Sequence, residues 1–329
     1  MDGPGLTRLR LDDCAAILRE TEDQVGDFTA MWNALKAAES RRTRPATGLR
    51  AWTRRFAPAD EPTFHEDFGR RRADVPPERP FFTGTAAGGI RFMGDSRDYP
   101  SALHAVNPRC NSILVDAITR ELSRRPGNVV DVGTNIGVVA VSVAAHLGAS
   151  GQVFAFEPSP ETFRLAASTI ALNRASNVTL YNAAVSDTDG ELVFNATPGN
   201  SAIASARRHK FDLLNEWQEV TVPARRLDTL HAAGELADVS LLKIDVEGHE
   251  MSALGGALDF IAGTRPTVVY EYTPVAAADH GWTQEDSIAL LSRAGDFTFE
   301  ALSEEDGHTL PFPLPAGHDG QVNVFARPV

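Results

Sequence analysis

Only Cys14 and Cys110 are cysteines, which excludes both a disulfide framework and a cysteine-ligated zinc site. Lysine is nearly as scarce, since Lys36, Lys210 and Lys243 are the only lysines among 31 basic residues. No run approaches the ~18 consecutive apolar residues of a membrane span, and the first ten residues hold no apolar leader core. Neither secretion nor membrane insertion is indicated, and a cytoplasmic protein is expected. Internal repeats and low-complexity tracts are also lacking. What is present, 43% hydrophobic and 23% charged residues in 329, reads as globular protein with length for two domains.

The net charge of -13 is distributed unevenly. Residues 1–127 carry 20 Lys and Arg against 18 Asp and Glu, whereas residues 128–329 carry 11 against 26, a balance of -15. Such a field repels nucleic-acid phosphates and attracts cations, so a charged small-molecule partner of this half is expected to be positive. A merely solubilising surface is the plainer account of the same charge.

From Leu11 to about Ala38, apolar residues recur at three- and four-residue steps, the pattern of a long amphipathic helix or a helix pair. An Arg- and Pro-rich connector with interspersed acids follows up to about Pro80, then a helix at Ile113–Leu122, and Pro126-Gly127 closes the segment. We expect a mainly helical N-terminal region over 1–126, serving as a cap or an oligomer interface, and a second domain over 127–329. In that domain short β-branched runs alternate with helical patterns, which predicts an α/β parallel sheet. Strands are expected at Asn128–Val132, Gln152–Phe156, Val178–Asn182, Ser240–Ile244, Thr267–Tyr272, Thr298–Leu302 and Val322–Ala326. Helices are expected at 136–147, 160–173, 249–262 and 284–294, with the last two strands antiparallel at a sheet edge. Residues 195–219 read as a lid or a surface insertion.

Three motifs carry chemistry. The first strand runs into Asp131-Val-Gly133-Thr134-Asn135-Ile-Gly137, a glycine turn opening a helix where a ligand approaches backbone. Its acidic residue suits an ammonium-bearing ligand better than a diphosphate. The second strand ends at Phe156-Glu157-Pro158, 26 residues after Asp131, where a carboxylate can accept from both hydroxyls of a ribose. The fourth delivers Leu242-Lys-Ile-Asp245-Val-Glu247-Gly-His249-Glu250, three acids and a histidine within six residues at a strand end. Acids are costly to bury unpaired, so this density points to a cleft handling a cation, a metal or a proton. Ala253 occupies the second histidine position of H-E-x-x-H, which removes the zinc-protease reading. Tyr270-Glu271-Tyr272 ends the fifth strand near the same edge.

Together these motifs resemble the FkbM-type S-adenosylmethionine-dependent methyltransferases over roughly residues 127–329. The resemblance implies a Rossmann-like seven-stranded methyltransferase sheet and S-adenosylmethionine as cofactor. It further implies that Asp131, Gly133, Thr134, Asn135 and Gly137 meet the methionine part, that Glu157 and Pro158 meet the ribose, that Ala183 borders the adenine, and that Asp245 sits near the methionine amine or sulfonium. Thr134 stands where alanine is more usual. With its acidic half, the chain is similar to aminoglycoside N-methyltransferases of the gentamicin type, which implies an amino-sugar acceptor in secondary-metabolite biosynthesis.

Glu247, His249 and Glu271 are the candidates for the base that takes the acceptor proton. No metal ligand is assigned. The alternative is hydroxyl methylation, including a version in which Asp245, Glu247 and Glu250 help Mg²⁺ bind a vicinal diol. An NAD-dependent oxidoreductase is disfavoured by the missing third-glycine spacing, and a homo-oligomer remains open.

Overall fold

The computed structural model describes residues 6–27, 80–196, 201, 218–304, 306–315, 317–318 and 320–329. The helical pattern beyond Asp27, the Arg-rich connector and the Phe211–Trp217 stretch lie outside the described residues.

Val, Ile, Leu and Phe fill the central strands on both faces, as a sheet covered by helices on each side requires. The strands, in chain order, are β1 (Thr7–Leu9), β2 (Val25–Gly26), β3 (Phe81–Thr85), β4 (Arg91–Asp95), β5 (Asn128–Val132), β6 (Val153–Phe156), β7 (Val178–Asn182), β8 (Ala184–Val185), β9 (Gly190–Ala196), β10 (Gln218–Arg225), β11 (Val239–Ile244), β12 (Thr267–Tyr272), β13 (Phe297–Ser303), β14 (Thr309–Pro311) and β15 (Val322–Pro328). The main sheet runs β1-β7-β6-β5-β11-β12-β15-β13-β14. Its centre, from β7 to β12, is parallel, and β15 inserts antiparallel between β12 and β13. All seven expected strands are there, and β1 and β14 add one at each edge.

Alternation along the strands divides the core. Val129, Ala155, Leu180, Leu241 and Val269 face one hydrophobic cluster, while Val130, Phe154, Leu242 and Val268 face the other. The first is covered by α1 (Leu11–Thr21), α2 (Tyr99–Val106), α3 (Ser112–Arg124), α4 (Val138–Leu147) and α5 (Pro160–Leu172). The second is covered by α6 (Leu227–Ala232), α7 (Glu250–Gly255), α8 (Leu258–Thr264), α9 (Pro274–His280) and α10 (Gln284–Leu291).

Three sequence expectations are revised. The first helix stops at Thr21, and the chain turns through a 3₁₀ segment into β2, which pairs with β3 in a small sheet with β4. The single helix expected over 249–262 splits into α7 and α8 at Gly256, where a Cβ would stand 1.9 Å from the Ser186 carbonyl oxygen. Only glycine permits that approach. Residues 190–196 and 218–225, for which no strand was expected, form paired antiparallel strands.

The division expected at 126/127 does not coincide with a break in the core. Cys14, Phe82, Phe92, Ala102 and Leu114 join Val129, Val153 and Ile170 in one cluster. The described N-terminal part carries α1, α2 and α3, with the short strands β1 to β4 beside them. Among the described residues, no helix is long and apolar enough to cross a membrane.

Candidate active site

The sheet's strand order reverses beside β5: the chain goes first to β6 and β7 on one side, then to β11 and β12 on the other. Open α/β sheets bind ligands at that point, outside the carboxyl strand ends. All three sequence motifs converge there.

The β5 turn is built from positive-φ backbone at Gly133 (75°), Asn135 (51°) and Gly137 (85°). Gly133 and Thr134 donate their N–H groups to the Phe156 carbonyl at 3.0 Å, which ties the turn to the end of β6. Asp131 faces inward. Its Oδ2 accepts from the Thr134 hydroxyl at 2.7 Å, and its Oδ1 lies 3.0 Å from Lys243 Nζ, an ion pair without an aligned hydrogen bond. Lys243 also donates to the Gly133 carbonyl at 3.0 Å and lies 3.5 Å from Asp245 Oδ2. Burial opposes the Lys243 charge, but Asp131 and Asp245 more than offset it, and the ammonium is held above its ordinary value. Removing one partner of a buried pair leaves the other charge stranded, at about 3–5 kcal/mol. Lys243→Met is therefore expected to lose stability of that size in urea unfolding, and a loss below ~1 kcal/mol would contradict the buried pair.

Glu157, only 6% exposed, accepts from the backbone N–H of Asn135 through Oε2 and of Ser159 through Oε1, each at 3.0 Å. Burial outweighs these bonds and pushes its carboxyl up to about 7. Two lone-pair sites remain, as a carboxylate has about four. Beside it opens a small cleft lined by Gly133, Phe156, Pro158, Ala183, Val246 and His249 among others. Those walls are mostly apolar. A heteroaromatic base beside a diol-accepting carboxylate fits this arrangement, so the residues present suit an adenosine-bearing cofactor.

The β11 loop separates the proposed bases. Glu247 sits in left-handed backbone (φ 54°), a conformation uncommon for a non-glycine residue and typical of functional turns. Burial, then Asp245 and Glu250, hold its carboxyl well above the ordinary range. Glu271, buried on β12, is raised by burial and by Asp245, Glu247, Glu250 and Glu304. Carboxylate oxygens of Asp245, Glu247 and Glu271 all lie within 4.8 Å of one another. His249 is not in that group: its Nε2 is 3.4 Å from the Ser186 hydroxyl, and its ring lines the cavity. Glu250 turns back into its own loop, accepting the Val246 and Gly248 N–H groups at 3.1 Å. It is a loop brace, which removes it from the Mg²⁺ arrangement considered above.

Several residues carry no role in the motif reading. Trp282 donates from Nε1 to the Gly248 carbonyl at 3.1 Å and clamps the acidic loop from beyond α9. Glu304, after β13, adds a further, half-buried acid whose carboxyl is raised by burial and by Asp245. Nothing near either residue in the sequence signals proximity to the site: the turn after α9 brings in Trp282, and Asn323 of β15 holds Glu304. Ser201, within the expected lid, accepts from Asn135 Nδ2 at 3.1 Å and donates its N–H to Asp98 at 2.8 Å.

Read in chain order, the seven expected strands have the spatial order third, second, first, fourth, fifth, seventh, sixth, with the seventh antiparallel. That order, with a cavity and acids at the strand ends, defines a Rossmann-like methyltransferase fold. The profile of the Methyltransferase FkbM domain matches residues 131–298, and the chain belongs to that family. It is a methyltransferase, and the family implies S-adenosylmethionine as its cofactor. "Methyltransferase 1" of Beauveria bassiana is 32% identical over 205 residues, 57% of this chain and 74% of that one. "Hexuronic acid methyltransferase AglP" of Haloferax volcanii is 30% identical over 151 residues, and its alignment spans 45% of this chain and 57% of that protein. The crystal structure of methyltransferase FkbM from Methylobacillus flagellatus KT is similar at 16% identity and TM-score 0.41, over 61% of this chain and 44% of that one. The strand order, not that superposition, carries the assignment of fold.

Proposed function

We propose that this chain transfers the methyl group of S-adenosylmethionine to an amine of a cationic amino sugar, of the kind found in aminoglycoside antibiotics. The carrying observation is the carboxylate excess at the cleft. Asp245, Glu247 and Glu271 converge within 4.8 Å, Glu304 adds to their field, and the neighbouring ammonium, Lys243, is committed to Asp131. An acceptor ammonium would relieve that repulsion.

In this reading Glu157 holds the ribose, the Gly133–Gly137 turn and Asp245 hold the methionine end, and Pro158 and Ala183 border the adenine. The cofactor supplies a methyl group on an already activated sulfonium. Glu247 and Glu271 bind the acceptor, and one of them takes the proton that frees the amine lone pair. A raised carboxyl suits that task, since a base works best with its pKa near the working pH. His249 belongs to the wall of the cofactor cavity on this geometry and leaves the proton step to the two glutamates.

Mass spectrometry of the full-length protein with S-adenosylmethionine, offered amine-bearing pseudotrisaccharides beside neutral glycosides, tests the reading. Methylation of an amine is expected, with kcat/KM at least ~10-fold above that for neutral acceptors, a preference of about 1.4 kcal/mol. Glu271→Gln should raise KM chiefly for the cationic acceptor. Equal rates on neutral and cationic acceptors would remove the charge argument. Sugar-hydroxyl methylation is the second reading, favoured by the sugar acid in the name of the Haloferax relative.

A further inference from the structure

We propose that Asp245, Glu247 and Glu271 form a site for a divalent cation of the Mg²⁺ and Mn²⁺ class, at the acceptor end of the methyl-transfer cleft. One oxygen from each carboxylate lies within 4.8 Å of the other two. Around an ion with metal–oxygen distances of about 2.1–2.5 Å, ligand oxygens lie ~3–5 Å apart, so the three groups need little movement to converge.

An independent observation points the same way. Glu271 is only 7% exposed, and no described residue donates a hydrogen bond to its carboxylate. Its electrostatic surroundings are Asp245, Glu247, Glu250 and Glu304, all acids. Among the described residues this largely enclosed carboxylate has neither a donor nor a counter-ion, and such groups are ordinarily paired or bound to metal. Lys243 does not meet that need, because it stands 3.0 Å from Asp131 and 3.5 Å from Asp245.

The donor set selects the ion. Three carboxylates with no histidine or cysteine favour a hard, oxygen-seeking dication over zinc or copper. Glu250 is not a ligand, since its Oε1 already holds the Val246 and Gly248 N–H groups. Three protein ligands leave the remaining positions to water and to acceptor oxygens. Each carboxylate gives the ion one oxygen, which leaves the second oxygen of Glu247 and of Glu271 for the acceptor, and against Asp245, Glu247, Glu250, Glu271 and Glu304 the Lys243 ammonium and a dication together leave an excess of negative charge.

The site rests on the proposed function only in being placed at the acceptor end, and the test separates the two. Mn²⁺ binding to the full chain is followed by electron paramagnetic resonance and calorimetry, with S-adenosylhomocysteine binding measured on the same protein. One Mn²⁺ is expected with Kd on the order of 10⁻⁴ M or tighter, Mg²⁺ competing. Glu271→Gln and Asp245→Asn should each weaken it at least ~10-fold, and Asp259→Asn, on the surface of α8, should leave it unchanged. The glutamine variant removes a buried charge without changing shape, and its thermal midpoint confirms folding. Absence of saturable Mn²⁺ binding, or equal binding by Glu271→Gln and the parent, overturns the ion site while homocysteine-product binding leaves the methyltransferase intact. Bound Mn²⁺ without methylation of any amine supports the ion site and overturns the acceptor reading instead.

Discussion

Gly133→Ala is expected to reduce S-adenosylhomocysteine affinity at least ~100-fold and to remove about 3–5 kcal/mol of stability, by calorimetry and urea unfolding. A Cβ at this position would stand 1.8 Å from the Asp245 carbonyl oxygen, and the backbone there has φ +75°. Left-handed backbone alone costs alanine about 1–2 kcal/mol, and the clash must be relieved by parting the β5 and β11 loops. Those loops are joined at both ends. Asp245 N–H donates to the Val132 carbonyl at 3.1 Å, and Lys243 Nζ to the Gly133 carbonyl at 3.0 Å. Parting them displaces the cofactor turn and the acidic cluster together. Gly234→Ala supplies the internal standard, because Gly234 has φ +78° with nothing within 4 Å of a built Cβ. It should cost only the conformational part, about 1–2 kcal/mol, with unchanged ligand affinity. Similar losses at the two positions would refute the close-approach argument.

Acidification is expected to stabilise the ligand-free protein, with the thermal midpoint rising by at least ~5 °C between pH 8.5 and 6. Burial pushes Glu157 and Glu250 up to about 7, and raises Glu247 and Glu271 as well. A carboxyl whose folded value exceeds its unfolded value binds protons more readily in the folded state. Its penalty is greatest above about 7 and is relieved as pH falls toward the ordinary value near 4.5. At about 1.4 kcal/mol per pKa unit, Glu157 and Glu250 each contribute a penalty of roughly 3 kcal/mol when fully ionised. Glu250→Gln should flatten the profile, because it removes one of those charges. A midpoint that falls on acidification over the same range would contradict the buried-acid account. Cationic ligands should stabilise most at high pH, where the carboxylates are charged.

Much of this was legible in the sequence because the parallel strands are runs of β-branched and aromatic residues ended by glycine or acids. Val130, Phe154 and Leu242 announce their strands locally, and Asp131, Glu157 and Asp245 fall at the strand ends by simple counting. The sheet's additions were not legible. Thr7–Leu9 is too short to carry a pattern, and Gly190–Ala196 sits in polar sequence whose pairing with Gln218–Arg225 is set by tertiary contact. The cluster was only partly visible for the same reason. Asp245 and Glu247 share one motif, but their approach to Glu271 depends on the parallel register of β11 with β12. Sequence proximity does not fix shared placement either: His249 is two residues from Glu247 but lies beside the Ser186 hydroxyl and outside the carboxylate cluster. A split into two units at Pro126-Gly127 reads the chain's punctuation correctly, but it cannot foresee that Phe82 and Phe92 fill the core of the following sheet.

The pairing of β1 with β7, Thr7 opposite Asn182 and Leu9 opposite Leu180, has a consequence for solubility. Strand β7 would otherwise end the parallel half of the sheet with a row of free N–H and C=O groups, an invitation to pair with another chain. The opposite margin is blunt by construction, since β14 is three residues long and ends in Pro311. Protection of the cofactor-side margin is thus delegated to a segment laid down some 170 residues before its partner. Until the two meet, a nascent chain exposes its most adhesive edge, and loss of these three residues would leave a folded enzyme prone to self-association.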